Sequence, residues 1–316
     1  MAVVLTTVKR RAFLNALELK LRRSRGDMLQ EFLGALMIKV HGDNFVPATA
    51  HYSHGDLKCD GLLHEPLTIF ACYGATNGGD GISTSALAHA VAKVAEDFNG
   101  AVKHWPDLKE WVFVTNFVKA IPPQITNEVL KIQKGEANRQ LKLFGHAQFE
   151  KAILSLDPED IEDLIGDAAT DADFRQIQLP EVQSTINDVM AAMNDGLIRD
   201  DQPIEVPAEK LDINQLSEIY RYRLKQGFQS AGRVGTYLLD HPDPMLDGRL
   251  AGVFKTKYLE LKAQGFVSDE IMNGLYDFAL GEHRGIAREV AVWSLLAHLF
   301  EKCTIFEDDP SKVVAA

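Results

Sequence analysis

The run WVFVTNF at 111–117 is apolar and largely β-branched or aromatic along its length. A strand with one wet face alternates apolar and polar residues. An uninterrupted run of strand length is instead buried on both faces, as in a parallel strand covered by helices. The flanking sequence supplies helices to cover it. Upstream, Ser83 or Thr84 is an N-cap for an amphipathic helix carried by Leu87, Val91, Val94 and Phe98. Downstream, Pro122 and Pro123 open a helix through Val129 and Leu130, LKLFG forms a further short strand, and HAQFEKAILSL begins another helix.

Ahead of this core, Phe13, Leu14, Leu17 and Leu21, then Leu29, Phe32, Leu33, Leu36 and Met37, recur at helical spacing, divided by Gly26 and Asp27. Strand signals follow at 51–53, 57–63 and 67–73, with Glu65-Pro66 as the turn between the last two. The predicted order is helix, three strands, helix, strand, helix, strand, helix, an α/β layer structure with a mixed sheet. The acidic stretch DPEDIEDLIGDAATDADF at 157–174 marks its end. From Leu179 onward strand signals vanish, and helices are predicted at 180–195, 213–226, 229–240, 246–264, 268–280 and 286–302. The expected domains are therefore 1–175, α/β, and 176–316, all-α; IRDDQPIEVPAEK is the longest irregular piece of the second.

At 316 residues and 46% hydrophobic, the chain can bury the cores that two domains need. No apolar run of about 18 residues exists, so no membrane span is expected. In MAVVLTTVKRR the basic residues follow the apolar run, the reverse of a signal peptide, which predicts a cytoplasmic protein. Cys59, Cys72 and Cys303 are odd in number and lack CxxC spacing, so buried thiols in a reducing compartment are expected. A net charge of -12 argues against a surface coated for DNA binding. Residues 1–25 run against that trend, with Lys9, Arg10, Arg11, Lys20, Arg22, Arg23 and Arg25 against Glu18 alone. This segment is either a solvated face or a route to DNA or an acidic partner.

The predicted element order resembles the restriction-endonuclease-like fold, whose active form carries a PD-(D/E)xK motif across a hairpin. There, two carboxylates hold Mg²⁺ while the lysine positions or activates water. In GDLKCDGLLHEPLTIFACYG at 55–74, Asp60 matches the first carboxylate, and Glu31 on the preceding helix is the accessory one. Ala71 and Tyr73 stand where the second carboxylate and the lysine are expected, which leaves Asp56 and Lys58 as the neighbouring substitutes. The candidate catalytic set is thus Glu31, Asp60, Lys58 and Tyr73, and the metal set Asp60, Glu31 and Asp56. Mg²⁺ is a cofactor only if the site cleaves. Alternatively, Asp60 is a turn aspartate bonding the backbone before Gly61.

Other motifs carry less. GATNGGDGIS at 74–83 lacks both the GK[ST] ending and GxGxxG spacing, and reads as a mobile loop leading into a helix. Strand alternation scatters His51, His54 and His64 over both faces, Ser53, Ser83 and Ser85 lack a nucleophile elbow, and Trp105, Trp111 and Trp293 fit core patterns.

GDLKCDGLL, TIFACYG, VAEDFNGAVKHWPDLKEWVFVTNF, IPPQI and LKLFGHAQFEKAIL together resemble the N-terminal unit of effector-type proteins of bacterial ABC-three-component conflict systems. VGTYLLDHPDP, RLAGVFKTKYLELKAQG, SDEIMNGLYDFALG and VAVWSLLAHLFEKCTIFEDDP resemble the helical C-terminal domain of the same proteins. The resemblance spans 55–310 with gaps. It implies a role in antiviral or anti-plasmid defence beside an ABC-type ATPase and a small middle component. In such proteins a glutamine often stands at the position of Ala71 and a tyrosine at that of Tyr73. The expected function is therefore a non-cleaving regulatory subunit that binds nucleic acid or protein; the alternative is a metal-dependent DNA nuclease with a rearranged site.

Overall fold

The computed structural model describes residues 5–48, 57–192, 210–302 and 305–306. The chain divides into two compact units, Met1–Gly166 and Asp167–Ala316. The first holds a five-stranded sheet in the order β1 to β5: β1 (Phe45–Pro47), β2 (Gly61–Leu63), β3 (Thr68–Tyr73), β4 (Glu110–Thr115) and β5 (Gln140–Phe144). The first three strands form an antiparallel meander, and β3, β4 and β5 run parallel, so the sheet is mixed.

Helices α1 (Thr7–Arg23) and α2 (Asp27–His41) precede the sheet. The parallel connections are made by α3 (Thr84–His104) and α4 (Pro123–Gly135), and α5 (His146–Ile153) and α6 (Pro158–Ile165) follow β5. Pleating decides what each face meets. Ile69 and Ala71 of β3 and Trp111 and Phe113 of β4 pack in one core with Ala90, Val94, Phe98 and Ala101 of α3 and Ile125 and Val129 of α4. On the intervening positions Phe70 meets Phe45 edge-on, ring centres 5.8 Å apart, and Phe144 meets Phe149 of α5, which stacks on Phe32 of α2 at 5.4 Å. β4 is buried from Trp111 to Thr115, as its sequence requires.

Two local expectations need correction. The strand expected over 57–63 begins only at Gly61, because Leu57 and Lys58 hold left-handed backbone, φ 53° and 58°. Trp105 is half-buried rather than in the core, its indole N–H donating to Leu57 O at 3.3 Å. The acidic stretch carries helix α6 inside the first unit and helix α7 (Asp171–Arg175) inside the second. The signal at 51–53 lies outside the described residues.

The second unit is helical throughout its described residues: after α7 come α8 (Leu179–Ala192), α9 (Lys210–Ile213), α10 (Glu218–Leu239), α11 (Leu246–Ala263), α12 (Ser268–Leu280) and α13 (Ile286–Glu301). α10 replaces the two helices expected at 213–226 and 229–240. Gly227, which falls in the break between those two expected helices, is where α10 crosses α13. A Cβ there would lie 2.4 Å from Trp293 O, and one turn on the Ser230 and Ser294 hydroxyls are hydrogen-bonded at 2.7 Å. α13 is buried on every side from Arg288 to Phe300, more than the single apolar stripe its sequence suggests.

Its polar side chains are consequently paired. Glu289 meets Arg223 at 3.3 Å and accepts from Ala169 N at 2.9 Å, and Arg288 meets Asp188 at 2.9 Å. Lys210 donates to Phe300 O at 2.9 Å. Near its end, His298 and Lys302 face Asp247 of α11 and hold that carboxyl at about 2.

Two outcomes follow for the helical unit. Phe300→Ala removes a fully buried ring and should cost roughly 3–5 kcal/mol in urea unfolding; a loss below about 1 kcal/mol would contradict the packing. Asp247 has a depressed folded pKa, so its contribution is complete above the ordinary carboxyl value and disappears as pH falls through about 2. Allowing for a side chain 33% exposed, the wild type should exceed Asp247→Asn by about 1–2 kcal/mol at neutral pH. Unfolding curves of the two proteins at successively lower pH should converge in acid.

Candidate functional site

The two strands of the β2–β3 hairpin bring Asp60 beside the end of β3. Phe70 is the register partner of Gly61, yet its carbonyl also accepts from Asp60 N at 2.8 Å. Two residues facing one make a β-bulge, a device that re-aims a side chain. Here it turns the Asp60 carboxylate onto the backbone, where Oδ2 accepts from Cys72 N at 2.6 Å. Glycine at 61 is required by packing, since a Cβ would lie 2.6 Å from Cζ of Phe45.

Lys58 is directed to α3. Its stem lies on Gly100 of α3, and Nζ donates to Glu96 at 2.7 Å and to Asp97 at 3.0 Å. Those two hydrogen bonds, Glu96 first, raise the Lys58 pKa well above the ordinary lysine value, and the bond from Lys58 lowers Glu96 in turn. Asp97 is 2% exposed and meets a second ammonium, Lys93, at 2.7 Å. Tyr73 ends β3 with its hydroxyl donating to Ala86 O at 3.1 Å and its ring between His89 and Phe117. Burial raises its pKa, against the pull of Lys93. Ala71 is 2% exposed within the apolar core.

Glu31 is exposed on α2, and Asp56, His51, His54 and Ser53 lie outside the described residues. Among the described residues no group of three His, Cys, Asp or Glu could hold a metal ion. Sequence reasoning missed Lys93, Glu96 and Asp97. The available signal was the spacing of Lys93 and Asp97 one turn apart, with Asp97 set among the core residues Val94, Phe98 and Ala101. Cys59 and Cys72 are free, buried thiols, and burial pushes Cys72 up, with Asp60 adding to it. Lys93 and Asp97 also act on Cys72, which places these two charges, Asp60 and the thiol in one neighbourhood.

At the same end of the sheet the glycine-rich loop, expected to be mobile, is pinned. Asn116 after β4 donates to Leu21 O at 3.0 Å, Ser24 O at 2.9 Å and Ala75 O at 2.8 Å, and accepts from Ala75 N at 2.7 Å. Arg22 reaches Asn77 at 3.2 Å and Asp80 at 3.3 Å. Burial would raise the Asp80 carboxyl, but Lys119 and Arg22 hold it below its usual value. Gly78 and Gly79 have positive φ, and Cβ atoms there would meet Val118 at 2.6 Å and Phe117 at 2.0 Å.

Residues 178–307, covering α8 to α13, match the family model of C-terminal domain 10 of the ABC-three component (ABC-3C) systems. Over these residues the chain is similar to that C-terminal domain. The match supports an effector component of an ABC-three-component system and implies further components beside it. No curated protein and no solved structure matches the chain. Among the described residues no helix is long and apolar enough to cross a membrane.

The polar end of the sheet should respond to single truncations. Asp60→Ala deprives the Cys72 N–H of its acceptor, at about 1–3 kcal/mol, and Asp97→Ala leaves two ammonium groups face to face, at about 2–3 kcal/mol. Urea unfolding followed through Trp105 and Trp111 measures both. Neutral effects would mean that these contacts do not hold the hairpin to α3.

Proposed function

We propose that this chain is a non-cleaving regulatory component of an ABC-three-component defence system, with a restriction-endonuclease-like first unit that binds nucleic acid. The fold part of this reading is supported by the strand order, in which an antiparallel meander is followed by a parallel strand behind a helical crossover, with helices ahead of it. The defence role and an ABC-type ATPase partner are supported by the family match of the second unit.

The observation that carries the non-cleaving part is the use already made of each group. Phosphodiester cleavage on this fold needs two or more carboxylates to hold Mg²⁺ and a lysine available to the attacking water. In this chain the second carboxylate position is the core residue Ala71 and the lysine position is Tyr73. Lys58 is held by Glu96 and Asp97, and Asp60 accepts a backbone N–H. A Mg²⁺ ion therefore does not fit the groups as they stand.

A second reading is favoured by one observation. Asp60, Lys93 and Asp97 all act electrostatically on Cys72, so a carboxylate and a lysine from α3 lie near the first carboxylate. A rearranged nuclease would use Asp60 and Asp97 with Lys93, once the ammonium groups on Asp97 gave way to a metal ion.

Calorimetric titration of the full chain with Mg²⁺ and with Mn²⁺, beside plasmid incubation, separates the two. The expected result is millimolar or weaker affinity, unchanged in Asp60→Ala and Glu31→Ala, with intact plasmid. Micromolar affinity lost on Asp60→Ala, together with cleaved DNA, would establish the nuclease.

A further inference from the structure

Helix α6 has the sequence PEDIEDLI, and Ile161 and Leu164 are its buried residues. Its remaining ties to the first unit are ionic. Lys9 near the start of α1 donates to Glu162 at 2.8 Å, and Lys39 near the end of α2 donates to Asp160 at 2.5 Å and Asp163 at 3.1 Å. Glu162 and Asp163 are consecutive, so ammonium groups from two helices converge on one short line of negative charge. The carboxylates in these pairs are 35%, 42% and 65% exposed, so the ion pairs sit at the surface, where other anions can compete. Arg10 and Arg11, next to Lys9 on α1, are exposed.

We propose that α6 covers a polyanion-binding surface made by the start of α1 and the end of α2, and that nucleic-acid phosphates take the place of its carboxylates. Consecutive carboxylates on α6 present to Lys9 and Lys39 what consecutive phosphates of a strand present: closely spaced negative charge that ammonium and guanidinium groups neutralise. On a chain of net charge -12 the acidic helix thus occupies Lys9 and Lys39, beside the exposed Arg10 and Arg11, until it is displaced. α6 ends at Ile165, next to Gly166, where the first unit closes, and the chain then enters the ABC-three-component domain. The inference rests on the binding reading given above and specifies its surface.

The test is equilibrium binding of a labelled DNA duplex of about 20 base pairs to the full chain, by fluorescence anisotropy at about 0.1 M salt. Asp160→Asn, Glu162→Gln and Asp163→Asn combined should tighten binding about tenfold or more and steepen its salt dependence. Adding Lys9→Ala and Lys39→Ala should remove the gain. Neutralising Asp107, Glu128 and Glu150 to their amides, an equal change of net charge elsewhere in the unit, should leave affinity near that of the wild type. No gain, a gain shared by this control, or a gain that survives loss of both lysines would overturn the proposal. If the triple variant is unfolded by circular dichroism, Glu162→Gln alone reads the same effect at about threefold. Cleavage of the duplex in Mg²⁺ would overturn the non-cleaving reading while leaving the mask intact.

Discussion

Burial of β4 on both faces is the constraint on which the first unit depends. A strand with Trp111, Val112, Phe113 and Val114 all inaccessible must have covering layers on each side and backbone partners on both edges. Its parallel neighbours β3 and β5 can be reached only through crossovers, and α3 and α4 are those crossovers as well as one covering layer. The same geometry assembles the polar end of the sheet. α3 follows β3 after the glycine-rich loop and returns along the sheet, which brings Glu96 and Asp97 to Lys58.

The second unit answers to a similar demand made of a helix. α13 is enclosed by its neighbours, so an arginine, a glutamate and a serine on it must find partners inside the protein. Buried ions are costly to desolvate, and a pair such as Arg223 and Glu289 adds little net stability over a well-packed apolar substitute. What it adds is discrimination. Glu289 also accepts the Ala169 N–H, so rotation of α13 about its axis strands a charge and a backbone donor together.

Much of the architecture was legible in the sequence because burial on two faces, helix caps and helical periodicity are local signals. Ser83 caps α3, Pro123 opens α4, and the Gly26-Asp27 break separates α1 from α2. The misreadings share a different origin. Gly227 falls in the break between two expected helices, whereas its reason for being glycine is the backbone of Trp293, far away in sequence. Leu57 and Lys58 look like strand residues, and the partners that Lys58 meets instead lie on α3, far away in sequence. The same applies to the candidate site. Asp60 was visible as a carboxylate at a hairpin, whereas the bulge that aims it at Cys72 and the role of Asp97 exist only once the hairpin and α3 are side by side. The acidic stretch does hold the division between the units, but its lysine partners on α1 and α2 could not be read from a run of Asp and Glu.

Asn116 ties the end of α1, the loop after β3 and the end of β4 through a single side-chain amide. None of the three segments satisfies its polar groups there unless the other two are in place. Opening the glycine-rich loop therefore requires uncoupling the first helix from the central strand. In hydrogen-exchange terms, its amides belong to the cooperative unit of the sheet core and not to the fast local fluctuations usual for a loop rich in glycine.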